Sequence, residues 1–187
     1  MNKHHIFKIL STLLILATSA TFADSKTYKI SVLIFEHSPA EKITSTPVLT
    51  PWSDADFFNS IAIDENNALP KSESALSNAA YGLSQNSDYT ILYNGTWLAS
   101  FDYGQPQTFH IHKTLENNQN LDVLMQMNMK YYFDVHFQSQ LLIPQSDNHL
   151  NFYNIISLDE TYQAPSNQIQ YIDSPAYAAL IEIAKIN

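Results

Sequence analysis

From Val123 to Phe137 every second residue is apolar. Val123, Met125, Met127, Met129, Tyr131, Phe133, Val135 and Phe137 alternate with the mainly polar Gln126, Asn128, Lys130, Asp134, His136 and Gln138. A period of two belongs to a strand, because successive side chains leave opposite faces, so one face of this ribbon is buried and the other is wet. A helix would instead repeat its apolar residues at steps of three and four. Strands average about 5–6 residues, so the ribbon is either unusually long or bent by a bulge that resets its pairing. On either reading Tyr131, Phe133 and Phe137 point inward.

The remaining elements follow from weaker signals. Thr27 to Phe35 is apolar and β-branched, a mostly buried, central strand ended by Glu36-His37-Ser38-Pro39. Residues 38–70 carry prolines at 39, 47, 51 and 70 and form a long irregular connection, which Trp52, Phe57 and Phe58 are expected to pin down, with a short helix capped by Ser53. Ala75, Leu76, Ala79, Ala80 and Leu83 recur at helical steps and place the main helix over Ser72 to Ser84, lying on a sheet. Strands follow at Tyr89 to Phe101 and Thr108 to Lys113. Within the first of these, Asn94-Gly95 is either a bend or a hairpin turn. Pro144 and Ser146 to His149 form a turn, Leu150 to Leu158 and Gln168 to Ile172 are strands, and Asp173-Ser174-Pro175 breaks the chain before a closing strand at Tyr177 to Ile186. The expected fold class is α+β: a single domain with a mostly antiparallel sheet and one main helix packed on one face.

The first residues carry a different message. Lys3, His4, His5 and Lys8 precede an apolar run from Ile9 to Ala17, and small residues lead to Thr21-Phe22-Ala23, the pattern of a signal peptide cut after Ala23. Residues 24–187 are then the mature domain, exported to the periplasm. The apolar run is short of the roughly 20 residues a membrane-spanning helix needs, so no membrane insertion is expected after cleavage. Beyond Ala23 stand seven lysines and no arginine against eighteen acidic residues, a balance of −11 that disfavours nucleic acid, whose phosphates call for clustered cations. With no cysteine, disulfides and zinc-thiolate sites are excluded and packing alone must hold the fold.

Three pieces of the chain resemble the CsiV family of peptidoglycan-binding proteins of Gram-negative bacteria. They are the opening strand Tyr28-Lys29-Ile30-Ser31-Val32-Leu33-Ile34-Phe35-Glu36-His37, the stretch Tyr89-Thr90-Ile91-Leu92 leading to Trp97, and the ending Ile169-Gln170-Tyr171-Ile172-Asp173-Ser174-Pro175 before Tyr177 to Ile183. In that family the ending is a strand, an aspartate-proline turn and a last apolar strand, preceded by basic residues where this chain has Gln163 to Gln168. The resemblance implies an exported, non-catalytic protein whose partners are peptidoglycan, the cell-wall synthesis proteins, or both.

Residue by residue, the chemistry points the same way. His110 and His112 sit two apart on a strand and share a face, a spacing that suits a metal only if His136, His37 or a carboxylate adds a third ligand. Two histidines on a wet strand face are the commoner outcome, and no cofactor is implied. No Gly-x-Ser-x-Gly elbow or phosphate-cradling loop is present. Carboxylates for glycoside cleavage would have to come from Glu36, Asp54, Asp56, Asp64, Glu65, Asp159 or Glu160, scattered acids that more often serve solvation. Aromatic residues are the better lead, because sugar rings pack on them: Trp52, Tyr93 and Trp97 are the candidate ligand-binding residues, with Tyr103 and Tyr132 also in loop or uncertain-face positions. The alternatives are an envelope protein-interaction module that never touches glycan and a metal-dependent or hydrolytic enzyme.

Overall fold

A computed structural model of the chain describes residues 25–37, 51–64, 66–144 and 153–186. The expected leader at 1–23, the first part of the 38–70 connection and the turn at 146–149 lie outside them. The described chain is dominated by strand: β1 (Lys26–Glu36), β2 (Ile61–Ala62), then one α-helix, α1 (Ser77–Ser84), then β3 (Thr90–Phe101), β4 (Pro106–Thr114), β5 (Asn120–Met129), β6 (Phe133–Pro144), β7 (Tyr153–Ala164), β8 (Ile169–Asp173) and β9 (Tyr177–Lys185). Its strands form two sheets, one of four strands in the order β3-β1-β9-β8 and one of five in the order β2-β4-β5-β6-β7. All pairings are antiparallel except the short parallel contact of β2 with β4.

The two sheets press their apolar faces together. Ile30, Val32 and Ile34 of β1 meet Met125, Met127, Phe133, Val135 and Phe137 of the other sheet in one core, and Tyr28 stands edge-on to Phe133 with ring centroids 4.8 Å apart. The opposite face of the four-stranded sheet is covered by α1, where Leu76 and Ala80 pack on Leu33, Phe35 and Ala178. The order is therefore helix, sheet, sheet. The expected helix on one face of an antiparallel sheet is present, and the second sheet is what the sequence pattern did not separate.

Several local expectations are revised. The ribbon at 123–137 is neither one long strand nor a bulged one: it is a hairpin, with Met129 paired to Phe133 across Lys130, Tyr131 and Tyr132. Tyr131 consequently does not point inward and is 93% exposed. Asn94-Gly95 is not a turn, since β3 runs straight through it. Instead, a bulge at Leu92 lets Ile34 face Tyr93 and Phe35 face Ile91, so that Leu92 and Tyr93 both reach the same core. The Tyr93 ring lies back over Gly95, where any Cβ would collide with its hydroxyl.

The helix starts at Ser77 rather than Ser72. Ser74 is extended, a 3₁₀ turn precedes it at Lys71–Glu73, and the Ser77 hydroxyl lies within hydrogen-bond reach of the Ser74 and Lys71 carbonyls. The helix expected after Ser53 is a 3₁₀ turn, Asp54–Phe57.

Tyr177 ties the layers together. Fully buried on β9, it carries its hydroxyl across the interior to share a 2.8 Å hydrogen bond with Ser139 Oγ on β6, while its backbone N–H donates to Ser174 Oγ at 3.2 Å. The same Ser174 turn is clasped by His37, whose Nε2 lies 3.0 Å from Asp173 Oδ1. Burial pushes the Tyr177 hydroxyl well above the ordinary tyrosine range, so it stays protonated and able to donate.

Two substitutions check this packing by chemical denaturation. Tyr177→Phe leaves the buried Ser139 hydroxyl short of its partner and should cost about 1–3 kcal/mol. Gly95→Ala drives a methyl group into Tyr93 and should cost about 1–3 kcal/mol, whereas Gly82→Ala, where nothing lies within reach of an added Cβ, should not destabilise.

Candidate functional site

With its inner face buried, the five-stranded sheet turns its other face outward. Pairing sets the side chains there in rows: His110, Leu124, Gln138 and Asp159 in one, Thr108, Gln126, His136 and Thr161 in the next. Apart from Leu124, these are the polar positions of the same alternation that builds the core, so core and outer face are two readings of one pattern. Across the rows, His136 Nε2 stands 2.7 Å from Asp159 Oδ1 and Gln138 Nε2 donates to Asp159 Oδ2 at 2.9 Å. The Gln138 amide, and then His136, hold the Asp159 carboxyl below its usual range. His112 Nδ1 and Asp122 Oδ1 form a similar pair at 2.6 Å.

One end of this face is covered by the connection that leads into β2. The backbone N–H of Trp52 donates to Gln140 Oε1 at 3.1 Å, the Trp52 ring meets Phe57 edge-on at 6.1 Å, and Phe57 lies on His110 at 5.0 Å. Trp52 and Phe57 thus anchor the segment as expected, but Phe58 does not, being 80% exposed. Trp52 is half-buried.

The other candidate aromatics are placed differently. Trp97 is a core residue, 1% exposed and packed on Phe109, so its expected availability to a ligand is corrected. Tyr93 faces the core from the bulge, and burial pushes its hydroxyl up to about 12. Both sit inward because the bulge and the second sheet set their face. Tyr103 and Tyr132 are exposed, and Tyr131 joins them at the tip where the β3–β4 and β5–β6 turns meet. Gly104 N–H donates to the Met129 carbonyl at 2.8 Å, locking one turn to the other, and the Tyr103 and Tyr131 rings stand nearly perpendicular with centroids 6.3 Å apart.

His110 and His112 do share the outer face, but each has its own partner. His110 Nδ1 is 2.7 Å from Ser60 Oγ, while that hydroxyl donates to the Phe57 carbonyl at 2.5 Å. A hydroxyl has one proton, so the imidazole N–H must donate to Ser60. A serine proton committed to a main-chain carbonyl is not being drawn off by the imidazole, and the contact is not an activated nucleophile. Burial, reinforced by His112, lowers the pKa of His110. His136 lies two strands away, about 10 Å, and His37 is engaged at Asp173. Among the described residues no group of three or more His, Cys, Asp or Glu is placed to hold a metal. Asp159 and Glu160 are neighbours on β7 and project to opposite faces, so they cannot flank one glycosidic bond.

What sequence reasoning missed is the set of partners. Gln138 and His136 were visible as the polar half of the alternation, whereas their meeting with Asp159 depends on β7, whose register no periodicity reveals.

The Asp159 network makes a titration prediction. Because the carboxyl is lowered, the stability it contributes is present above its ordinary value and is lost as pH falls through the lowered one. Gln138→Ala removes the largest cause, so the Asp159 side-chain carbon signal in NMR should titrate at higher pH in the variant than in the parent. No family model matches the chain, and no curated protein or solved structure matches it either.

Proposed function

We propose that this chain is a non-catalytic periplasmic protein that binds peptidoglycan, or the machinery that builds it, as an adaptor, and that it reaches that compartment by cleavage of the leader after Ala23. The resemblance to the CsiV family supports this reading, as does the leader pattern of residues 1–23. The observation that carries it is the outer face of the five-stranded sheet, where Gln138, His136 and Asp159 are held in fixed geometry by one another and an aromatic residue, Trp52, is tied to the same sheet through the bond of its backbone N–H to Gln140.

That combination suits a hydroxyl-rich ligand. Planar amides, imidazoles and carboxylates present paired donors and acceptors to vicinal hydroxyls and acetamido groups, while an aromatic ring takes the apolar face of a sugar. Sites of this kind are preorganised, because the network restrains the side chains before the ligand arrives and less entropy is lost on binding. The described residues include no helix long and apolar enough to cross a membrane.

Co-sedimentation of residues 24–187 with purified sacculi tests the reading. Binding is expected, with Trp52→Ala and Asp159→Ala each weakening it by about tenfold, the effect of losing one hot-spot side chain. Protein that stays entirely in the supernatant would remove wall binding and leave the protein-interaction module in its place.

A further inference from the structure

The tyrosine tip lies at the turns, beyond the paired rows of the outer sheet face. A tight hairpin favours Asn-Gly or similar residues that accept positive φ, yet the β5–β6 turn uses Lys130, Tyr131 and Tyr132. Tyr131 is 93% exposed, and Tyr103 and Tyr132 are more than half exposed. With Tyr131 almost wholly in water and the other two more than half so, the turn gains little hydrophobic stabilisation from them. They are nonetheless positioned: the Gly104–Met129 hydrogen bond couples the two turns, Lys130 N–H donates to the Tyr132 carbonyl at 2.9 Å, and the Tyr103 and Tyr131 rings meet at 81°. Two ring faces at right angles make a notch with negative π density on both walls.

The charge around the notch selects its occupant. Lys130 is the cation of this turn, and its ammonium is taken up by Asp134 at 2.6 Å, which Gln163 also holds at 3.1 Å. Asp102, beside Tyr103, is exposed. The chain as a whole carries 18 acidic residues against 9 basic ones, none of them arginine. A body of that sign attracts cations and repels anionic surfaces, and a planar guanidinium both stacks on aromatic faces and pairs with carboxylates.

We infer that the notch formed by Tyr103, Tyr131 and Tyr132 is a docking point for an arginine side chain presented by a partner protein. This goes beyond the glycan reading of the outer sheet face and gives the protein a second attachment independent of it.

The probe is the peptide acetyl-Gly-Arg-Gly-Arg-Gly-amide, titrated into the mature chain at low salt and followed by the tyrosine ring signals in NMR. The Tyr103, Tyr131 and Tyr132 rings should shift together and saturably, with Tyr81 and Tyr171, which are exposed elsewhere, unmoved. Tyr131→Ser should weaken binding by about two- to fivefold and Tyr131→Phe should largely retain it, since the ring face is what matters. Equal shifts at Tyr81, or unchanged affinity in Tyr131→Ser, would overturn the inference. Both serine and parent proteins are then taken to sacculi: retained co-sedimentation is expected in Tyr131→Ser, and its loss would assign the tip to glycan and likewise overturn the proposal. Failure of the parent to bind sacculi at all bears only on the outer sheet face.

Discussion

The Tyr177 hydroxyl reaches from one sheet to the other through a mostly apolar interior. Two antiparallel sheets stacked on apolar faces slide easily, because hydrophobic contact is non-directional. A shared hydrogen bond between Tyr177 and Ser139 is directional, and both groups lose water in making it, so sheets stacked in any other registry leave two buried polar atoms without partners. The aromatic contacts of Tyr28, Phe101 and Phe133 then fill the space that this registry defines. Around the edge, His37, Asp173 and Ser174 fasten the end of β1 to the β8–β9 turn within the four-stranded sheet.

That arrangement decides what each face can do. Inner positions are committed to packing, α1 occupies part of the outer side of the four-stranded sheet, and the outer side of the five-stranded sheet carries the polar side chains. There the polar half of the alternation meets across strands in His–Asp and Gln–Asp contacts. Exposed pairs of this kind add little stability. Their effect is to restrain the orientation of the side chains on that face.

How far the sequence foretold this depends on which interaction sets each feature. The alternation from Val123 onward identified strands, the buried face and the polar face correctly, because period is a property of single strands. It missed the hairpin for a definite reason: three residues lie between Met129 and Phe133, an odd number, so apolar parity passes through the turn unbroken and no Gly or Pro marks it. Tyr131 was thereby assigned inward although it sits at the tip. Trp97 and Tyr93 were misjudged for another cause. The second sheet that buries Trp97 is a long-range partner, and the bulge at Leu92 shifts face assignment by one residue within β3. His110 and His112 were correctly placed on one face, but Ser60 and Asp122 come to them through β2 and β5 pairing. The opening strand, read as central, does lie between two others in its sheet.

That central position has a further consequence. β1 has β3 on one side and β9 on the other, and its register with β9 runs from Tyr28 opposite Lys185 to Glu36 opposite Tyr177. β1 therefore lacks one neighbour until residues 177–185 come back to it, and closing that loop is slow because its ends are so far apart along the chain.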